Sequence, residues 1–222
     1  MIIAIDGPAG SGKSTVAKRV AQELGFEYLD TGAMYRAVGV RALEESVPFS
    51  DEAAVAAIAT SERISFAHEP GASLASRVFI GSEDVTEAIR TPAADEASSA
   101  VSRLPRVREA MVDRQREIGA ERDIVVEGRD IGTVVFPDAK VKIFLTASAE
   151  ERARRRALEH IDRGHRVEQE EVADAMAKRD EADSTREASP LAMASDAVEL
   201  DTTGLSIDDV VAQIVSIARS RR

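Results

Sequence analysis

A glycine-rich segment near the N-terminus has the residue types and spacing of a phosphate-binding loop. Gly7, Gly12, Lys13 and Ser14 follow the pattern Gly-x-x-x-x-Gly-Lys-Ser, directly after the apolar residues 2–5. Glycines let the backbone turn with its N–H groups pointing inward, where they hold phosphate oxygens at the N-terminus of the following helix. The predicted nucleotide-binding residues are Gly7, Pro8, Ala9, Gly10, Ser11, Gly12, Lys13, Ser14 and Thr15.

Two side chains of this loop would take part in the chemistry. The Lys13 ammonium would reach the β- and γ-phosphates of a nucleoside triphosphate, and the Ser14 hydroxyl would ligate magnesium. We therefore expect ATP as the phosphate donor, with Mg²⁺ ligated by Ser14. Asp6 ends the apolar run before the loop, and we expect it to support the loop structurally rather than to act in catalysis.

The rest of the composition distinguishes between classes of protein that carry such a loop. A signalling GTPase reads guanine through an Asn-Lys-x-Asp segment, and this chain contains no asparagine. An Asp-x-x-Gly match at 201–204 follows the last predicted strand, which is the wrong place in the chain order for a GTPase. Large motor ATPases need more than the 222 residues present. Length and scattered arginines favour a small kinase that phosphorylates a small acceptor.

The spacing of apolar residues predicts an α/β fold. Residues 2–5, 27–30, 123–127, 141–145 and 197–200 are the expected strands. The third and fourth of these are nearly continuous apolar runs, which is typical of central parallel strands. Segments with helical spacing lie between the strands, so we expect a parallel sheet flanked by helices.

Residues 62–90 have a different pattern. Residues 63–67 and 76–80 alternate loosely with a period of two, and Glu69–Gly71 separates them with a turn signal. We therefore expect a small antiparallel β insertion. The helical stretch that follows, at about 93–118, is predicted to be interrupted near Pro105.

Charge and composition limit the partners. The formal net charge of −11 opposes a nucleic acid as the main ligand. Arginines nevertheless concentrate in residues 103–116 and 152–166, so a small phosphate ligand would find positive charge locally. The chain has no cysteine, and no apolar stretch approaches the length of a membrane span or a signal sequence. We expect a cytoplasmic enzyme that binds nucleotides and neither nucleic acid nor membrane.

Five longer segments resemble bacterial-type cytidylate kinase, in that family's order and over nearly the whole chain. They are Ile5–Thr15, Leu29–Arg36, Pro105–Glu109, Glu127–Pro137, and the run from Lys178 through Asp183 and Arg186 to Leu191. The resemblance implies a P-loop NTPase fold with a central five-stranded parallel sheet flanked by helices, a small antiparallel β insertion and a helical lid. It also implies a monomer with one kinase domain over 1–222, in which 31–110 is the monophosphate-binding region, including the 62–90 insertion, and 152–168 the lid.

The resemblance implies transfer of the γ-phosphoryl group of ATP to CMP or dCMP, giving CDP or dCDP. The acceptor phosphate would be bound by Arg36, Arg129 and Arg186, with Thr31 as a hydroxyl neighbour. Arginine suits this role because its planar guanidinium binds phosphate oxygens in pairs. Asp30 either orients the acceptor loop or only caps the helix that follows it.

Recognition of the base and the ribose is also implied by the resemblance. Cytosine would be read by Ser99, Arg108 and Asp130, because its amine donates to a carboxylate while its N3 and O2 accept hydrogen bonds. Arg179 and Asp183, four residues apart on one helix, would contact the ribose hydroxyls.

The lid of such kinases corresponds to an arginine-rich part of this chain. Its arginines are Arg152, Arg154, Arg155, Arg156, Arg163 and Arg166. Lid arginines can stabilise the charge on the transferred phosphoryl group. The resemblance therefore implies that the catalytic residues are the lid arginines Arg155 and Arg156, together with Lys13 and Arg129. Pairing with Glu150 or Glu151 on the same helix is the alternative for Arg154 and Arg155. No general base is expected, because the nucleophile is a phosphate oxygen that is largely ionised near pH 7.

Two other functions stay open at this point. The chain could be a small P-loop kinase for a different monophosphate or metabolite, or a nucleotide-binding switch with no acceptor. The arginines outside the loop argue against a switch, which has little use for a second phosphate pocket. The preference between CMP and dCMP is open as well.

Overall fold

The computed structural model describes residues 1–68, 75–162, 164 and 166–221. The turn predicted at Glu69–Gly71 lies outside the described residues. The chain forms two compact units. Met1–Glu27 and Arg122–Arg222 make up the first unit, and Tyr28–Glu121 make up the second.

Strands and helices alternate through most of the chain, as the sequence predicts. The strands are β1 (Ile2–Asp6), β2 (Glu27–Asp30), β3 (Ile64–His68), β4 (Ala75–Ile80), β5 (Glu83–Asp84), β6 (Ile124–Gly128), β7 (Val141–Thr146) and β8 (Val198–Asp201). The helices are α1 (Lys13–Leu24), α2 (Thr31–Glu44), α3 (Glu52–Ser61), α4 (Pro92–Val101), α5 (Pro105–Gly119), α6 (Ala149–Asp162), α7 (Gln169–Thr185) and α8 (Ile207–Ser220). Short helical turns lie at Ala88–Arg90 and Ile131–Val135.

The five-stranded sheet has the strand order β2-β6-β1-β7-β8. Within the first unit, β1 pairs in parallel with β6 on one side and with β7 on the other, and β7 pairs in parallel with β8. Ile3, Ala4 and Ile5 of the central strand β1 are fully buried, which explains the continuous apolar run in the sequence. The predicted α/β fold with a five-stranded parallel sheet is confirmed.

Helices α1 and α8 cover part of this sheet. Helix α1 packs against β1, β6 and α8, and α8 also packs against β7. The buried residues of α1 include Val16, Val20 and Ala21, which follow the 3.6-residue period of a helix. This packing holds the N-terminus of α1 beside the end of β1, so the glycine-rich loop between them has fixed ends.

In the second unit, the described residues form a smaller sheet and the helices α2, α3, α4 and α5. Strands β3, β4 and β5 form an antiparallel sheet in that order, which confirms the predicted insertion. Helix α2 packs closely on α4: a β-carbon at Gly39 would lie 2.7 Å from the Ala97 β-carbon. Helix α4 ends at Val101 and α5 begins at Pro105, so the break predicted near Pro105 is present.

Helices α6 and α7 pack on each other in the first unit. Helix α6 begins after Ser148, whose hydroxyl accepts the Glu151 amide at 3.2 Å. Ala157 of α6 and Val172 and Met176 of α7 form their buried contact. In the part of the chain that the structure describes, none of the helices is both long and apolar enough to cross a membrane.

Candidate active site

The glycine-rich loop connects β1 to α1. Gly7 follows the last residue of β1, and a β-carbon there would overlap the carbonyl oxygen of Leu145 on the neighbouring strand β7. Its φ of 149° is also a value that other residues rarely adopt. Only glycine therefore lets the chain leave β1 at this place. The loop backbone ends at Gly12, and Lys13 is the first residue of α1.

Lys13 is a buried cation next to this loop. Its side chain points back over the loop, and Nζ donates to the Pro8 carbonyl at 2.6 Å. Burial lowers the pKa of Lys13 well below its usual value, and the positive charge of Arg129 lowers it further, while Glu127 and Asp6 oppose the change. A further anion, such as a phosphate group, would stabilise the charged ammonium here.

Asp6 joins the end of β1 to the turn after β6. Its two carboxylate oxygens accept the amides of Ile131 and Gly132 at 2.8 and 2.7 Å. Burial raises the pKa of Asp6 to about 6, although these two hydrogen bonds and Lys13 favour the charged form. These bonds support the expected structural role, since they fix the turn that carries Arg129 and Asp130 relative to the loop.

Glu127 is a site residue that the sequence analysis missed. It lies in β6, it is 3% exposed, and its Oε2 accepts the Ser14 hydroxyl at 2.9 Å. A carboxylate in an otherwise apolar strand was the available signal. The Ser14 and Glu127 oxygens are the hard donors that Mg²⁺ prefers, so the donor set fits the expected metal.

The same residues also limit the kind of metal site. Among the described residues, no group of three or more His, Asp or Glu side chains could hold a metal ion. Protein-bound Mg²⁺ commonly uses one or two protein oxygens together with substrate phosphates and water. The site therefore suits a metal that arrives with a polyphosphate.

Four of the predicted acceptor-binding residues come together in the first unit. Arg129 follows β6, and its Nε donates to the Asp183 carboxylate on α7 at 2.9 Å. Arg186, just after α7, lies 3.6 Å from an Asp130 oxygen and 3.9 Å from an Asp183 oxygen. Two guanidinium groups and two carboxylates thus alternate in one partly buried cluster.

Electrostatics link this cluster to Arg179 and to the loop lysine. Burial would raise the pKa of Asp183, but the positive charges of Arg129, Arg179 and Arg186 hold it below its ordinary value. Arg129 and Arg179 also lower the pKa of Lys13. Arg129 and Arg179 of the first unit are therefore close enough to the phosphate loop for their charges to act on Lys13.

The other predicted acceptor residues lie in the second unit. Asp30 precedes α2, and its Oδ1 accepts the Ala33 amide at 2.9 Å, so Asp30 does cap the helix. Its Oδ2 also accepts Nη2 of Arg36 at 2.9 Å, so the same carboxylate orients this arginine. The two alternatives for Asp30 are therefore both compatible with its contacts. Thr31, the first residue of α2, is buried.

Arg108 and Ser99 lie on the two helices around Pro105. The buried Arg108 guanidinium donates to the Ser102 carbonyl at 3.3 Å and stacks over the Tyr35 ring, 5.6 Å from its centre. Ser99 is half-buried on α4, and its carbonyl accepts the Ser102 hydroxyl. Ser102 therefore connects Ser99 and Arg108, two of the three predicted base-reading residues.

The described arginines of α6 bond to carboxylates, and two of them also bond to carbonyl oxygens. Arg154 and Arg155 both donate to Glu151, as the alternative from the sequence expected. Arg156 donates to Glu159 at 2.6 Å. Arg152 bonds to Asp180 and to two backbone carbonyls. Arg163, which the sequence analysis grouped with them, lies outside the described residues.

Arg155 is also the α6 arginine that approaches the loop helix. A β-carbon at Gly12 would lie 3.6 Å from its Nη1. Two further bonds hold it to Thr202 after β8, to the hydroxyl at 2.9 Å and to the carbonyl at 2.8 Å. The buried Thr202 hydroxyl lies 3.0 Å from the Thr146 carbonyl and 3.4 Å from that of Ser11. Thr202 therefore connects the loop, β7 and Arg155, a role that its place in the sequence gave no reason to expect.

Comparisons with known proteins agree with one another. The sequence matches a family model described as cytidylate kinase over residues 3–220. A cytidylate kinase from Carboxydothermus hydrogenoformans is 52% identical over 217 residues, which cover 98% of this chain and 96% of that protein. One from Enterococcus faecalis is 50% identical over 219 residues, covering 99% and 96%. A solved shikimate kinase from Bacteroides thetaiotaomicron, 12% identical, matches 99% of this chain and 98% of its own with a TM-score of 0.50, a likeness of fold alone.

Proposed function

Since the chain belongs to the cytidylate kinase family, and is therefore a phosphotransferase, we propose that it transfers the γ-phosphoryl group of ATP to CMP or dCMP. The observation that carries the proposal is the guanidinium cluster of Arg129 and Arg186, close enough to the phosphate loop for Arg129 to lower the pKa of Lys13. A second set of phosphate-binding groups beside a P-loop suits an enzyme with two phosphorylated substrates.

The donor is bound by residues 7–15. Backbone N–H groups of the loop and the Lys13 ammonium hold the ATP phosphates, and Ser14 with Glu127 would hold Mg²⁺. When bound, the metal neutralises charge on the phosphate oxygens. Bound phosphate would favour the protonated Lys13 amine, which burial alone disfavours.

The acceptor is bound by arginines and read by hydrogen bonds. Arg129 and Arg186 bind its phosphate, and the family resemblance assigns Arg36 and Thr31 of the second unit to the same phosphate. Asp183 and Arg179 contact the ribose. The salt bridges of Arg129 and Arg186 support these roles, because carboxylate partners hold the two guanidinium groups in defined orientations.

Catalysis consists of positioning and charge neutralisation. The acceptor phosphate oxygen is already largely ionised, so no side chain needs to remove its proton. Lys13, Arg129, Arg155 and Arg156 stabilise the charge that spreads over the oxygens of the transferred group. We assign the lid to 152–168 and the monophosphate-binding region to 31–110, including the insertion at 62–90, within one kinase domain spanning 1–222. The second compact unit, Tyr28–Glu121, contains the proposed monophosphate-binding region.

An acceptor screen tests the proposed function. We expect ADP release from ATP to depend on CMP or dCMP when CMP, dCMP, UMP, AMP and dTMP are compared at equal concentration in a coupled assay. Activity with AMP but not with CMP would contradict the proposal. Slow ATP hydrolysis that no monophosphate stimulates would indicate a nucleotide-binding switch instead.

Base recognition by Asp130 gives a specificity prediction. The cytosine amine donates to the Asp130 carboxylate, whereas uracil presents an oxygen at that place. Asp130→Asn should lower the ratio of kcat/KM for CMP over UMP by about tenfold or more, because the amide can turn its donor toward uracil O4. The exposed Asp138→Asn, eight residues later, removes the same charge and should leave the ratio unchanged. An unchanged ratio for Asp130→Asn would remove this residue from base recognition.

A further inference from the structure

Two helices bind both backbone groups of one residue in the phosphate loop. The Ala9 amide donates to Oδ1 of Asp180 on α7 at 3.3 Å, and the Ala9 carbonyl accepts Nη1 of Arg152 on α6 at 3.0 Å. Arg152 and Asp180 also form an ion pair with each other. The Arg152–Asp180 pair therefore holds the tip of the loop at Ala9, four residues before Lys13 in the sequence.

The two charged side chains are held in place and largely shielded from water. Nε of Arg152 donates to the Ala147 carbonyl at 3.2 Å, so this guanidinium bonds to two carbonyls and a carboxylate. The Arg152 side chain is 14% exposed and that of Asp180 is 20% exposed. In such surroundings, removal of one partner leaves the other charge poorly compensated.

Close packing also holds Ala9 and the next loop residue, Gly10. Ala9 packs against the buried cluster of Ala157, Val172 and Met176 between α6 and α7. A β-carbon at Gly10, which has a φ of 71°, would lie 2.7 Å from Met176 Cε and 2.8 Å from the Arg152 carbonyl oxygen. The loop backbone thus lies directly on the two helices, by polar contacts at Ala9 and by close packing at Gly10.

We propose that Asp180 and Arg152 are positioning residues for the donor phosphates. Loop N–H groups bind phosphate oxygens well only if they already point inward, because ordering a flexible loop on binding lowers the affinity. The Arg152–Asp180 pair provides this order by fixing the loop tip to α6 and α7. Arg152 acts through the loop backbone and not through contact with the transferred phosphoryl group.

The inference rests on the proposed function only for its kinetic readout. ATP affinity, measured by calorimetry without an acceptor, tests it independently. Should the acceptor screen fail with CMP, the affinity measurement still decides whether Asp180 and Arg152 position the loop.

The test uses Asp180→Asn and Arg152→Met in the full chain. Each should raise the Kd for ATP about tenfold, which corresponds to about 1.4 kcal/mol. The KM for CMP should stay within about twofold, a split that a general loss of folding would not produce. The double variant should bind ATP no worse than the single variant with the lower ATP affinity, because both changes break the same Arg152–Asp180 pair.

Two controls keep the test decisive. Glu181→Gln, on an exposed neighbour in α7, removes one negative charge and should leave ATP affinity unchanged. Arg152→Lys keeps the charge but cannot bond to Asp180 and both carbonyls at once, so it should fold and weaken ATP binding by a smaller factor. The proposal would be overturned if Asp180→Asn and Arg152→Met left ATP affinity unchanged, or if they weakened ATP and CMP binding equally. It would also be overturned if the losses were additive in the double variant, or if Glu181→Gln lost as much ATP affinity as they do.

Discussion

Lys13→Met should lower kcat for phosphoryl transfer by about a thousandfold or more. Removal of one well-placed group that stabilises transition-state charge typically lowers kcat by about 10²–10³, and Lys13 is a full charge in a water-poor site. The measurement is the steady-state rate of CDP formation at saturating ATP and CMP. The chain should still fold, because methionine has nearly the length of lysine and burial already disfavours the charged form of Lys13.

The pH dependence of stability gives the same variant an internal check. Between its lowered folded-state pKa and the ordinary value of 10.5, Lys13 binds more protons in the unfolded chain than in the folded one. Lys13 therefore makes stability rise with pH in this range, and this contribution should be absent from the pH dependence of Tm in Lys13→Met. Lys18→Met, on the exposed side of the same helix, should keep normal activity. A kcat within tenfold of the unsubstituted enzyme would contradict the role of Lys13.

Arg129→Ala should lower kcat/KM for CMP by about 10²–10³-fold while the Kd for ATP changes by less than about threefold. The expected loss combines one charge-assisted contact to the acceptor phosphate with its share of transition-state stabilisation. Initial rates at varied CMP and calorimetric titration with ATP separate the two effects. Stability should fall modestly, since the Asp183 carboxylate loses the guanidinium that donates to it at 2.9 Å but remains near Arg186.

Arg122→Ala is the matched control for this variant. Arg122 lies just before β6, where it pairs with Glu27 on the exposed surface, and its replacement should leave both substrates' constants unchanged. Equal damage to ATP and CMP binding by Arg129→Ala would mean that Arg129 serves the loop and not the acceptor.

Local sequence patterns predicted those parts of the structure that are determined by residues close together in the sequence. The loop follows from Gly7, Gly12 and Lys13, because each conformational and chemical requirement lies within a few residues. The central strands follow from nearly continuous apolar runs such as 123–127, since burial on both faces favours apolar residues. The antiparallel insertion was recognisable from another local pattern, the loose alternation of apolar and polar residues at 63–67 and 76–80.

Contacts between distant segments were not predictable in this way. The Ser14–Glu127 bond joins residues 113 positions apart, and the bond between Ala9 and Asp180 joins residues 171 apart. Nothing in a local pattern specifies which carboxylate meets which loop residue, because that depends on strand order and helix packing. The family resemblance identified Asp183 and Arg186 but assigned no role to Asp180, three residues before Asp183 on the same helix.

The arginines of α6 show a second limit of sequence patterns. Arg154 and Arg155 are adjacent and chemically identical, so the sequence treats them alike. In the structure, both bond to Glu151, but only Arg155 also bonds to Thr202 and lies beside the N-terminus of α1. The two side chains have different surroundings because successive residues of an α-helix are rotated by about 100° around its axis.

Label transfer in a mixture of acceptors tests the central claim most directly. ATP carrying a radioactive γ-phosphate is incubated with the enzyme, Mg²⁺ and equal concentrations of CMP and AMP, and the products are separated. The proposed transfer from ATP to CMP predicts label in CDP, with little in ADP or inorganic phosphate. Label mainly in ADP would show that AMP is the acceptor, and label only in inorganic phosphate would show that neither CMP nor AMP is. Either result would contradict the proposed function.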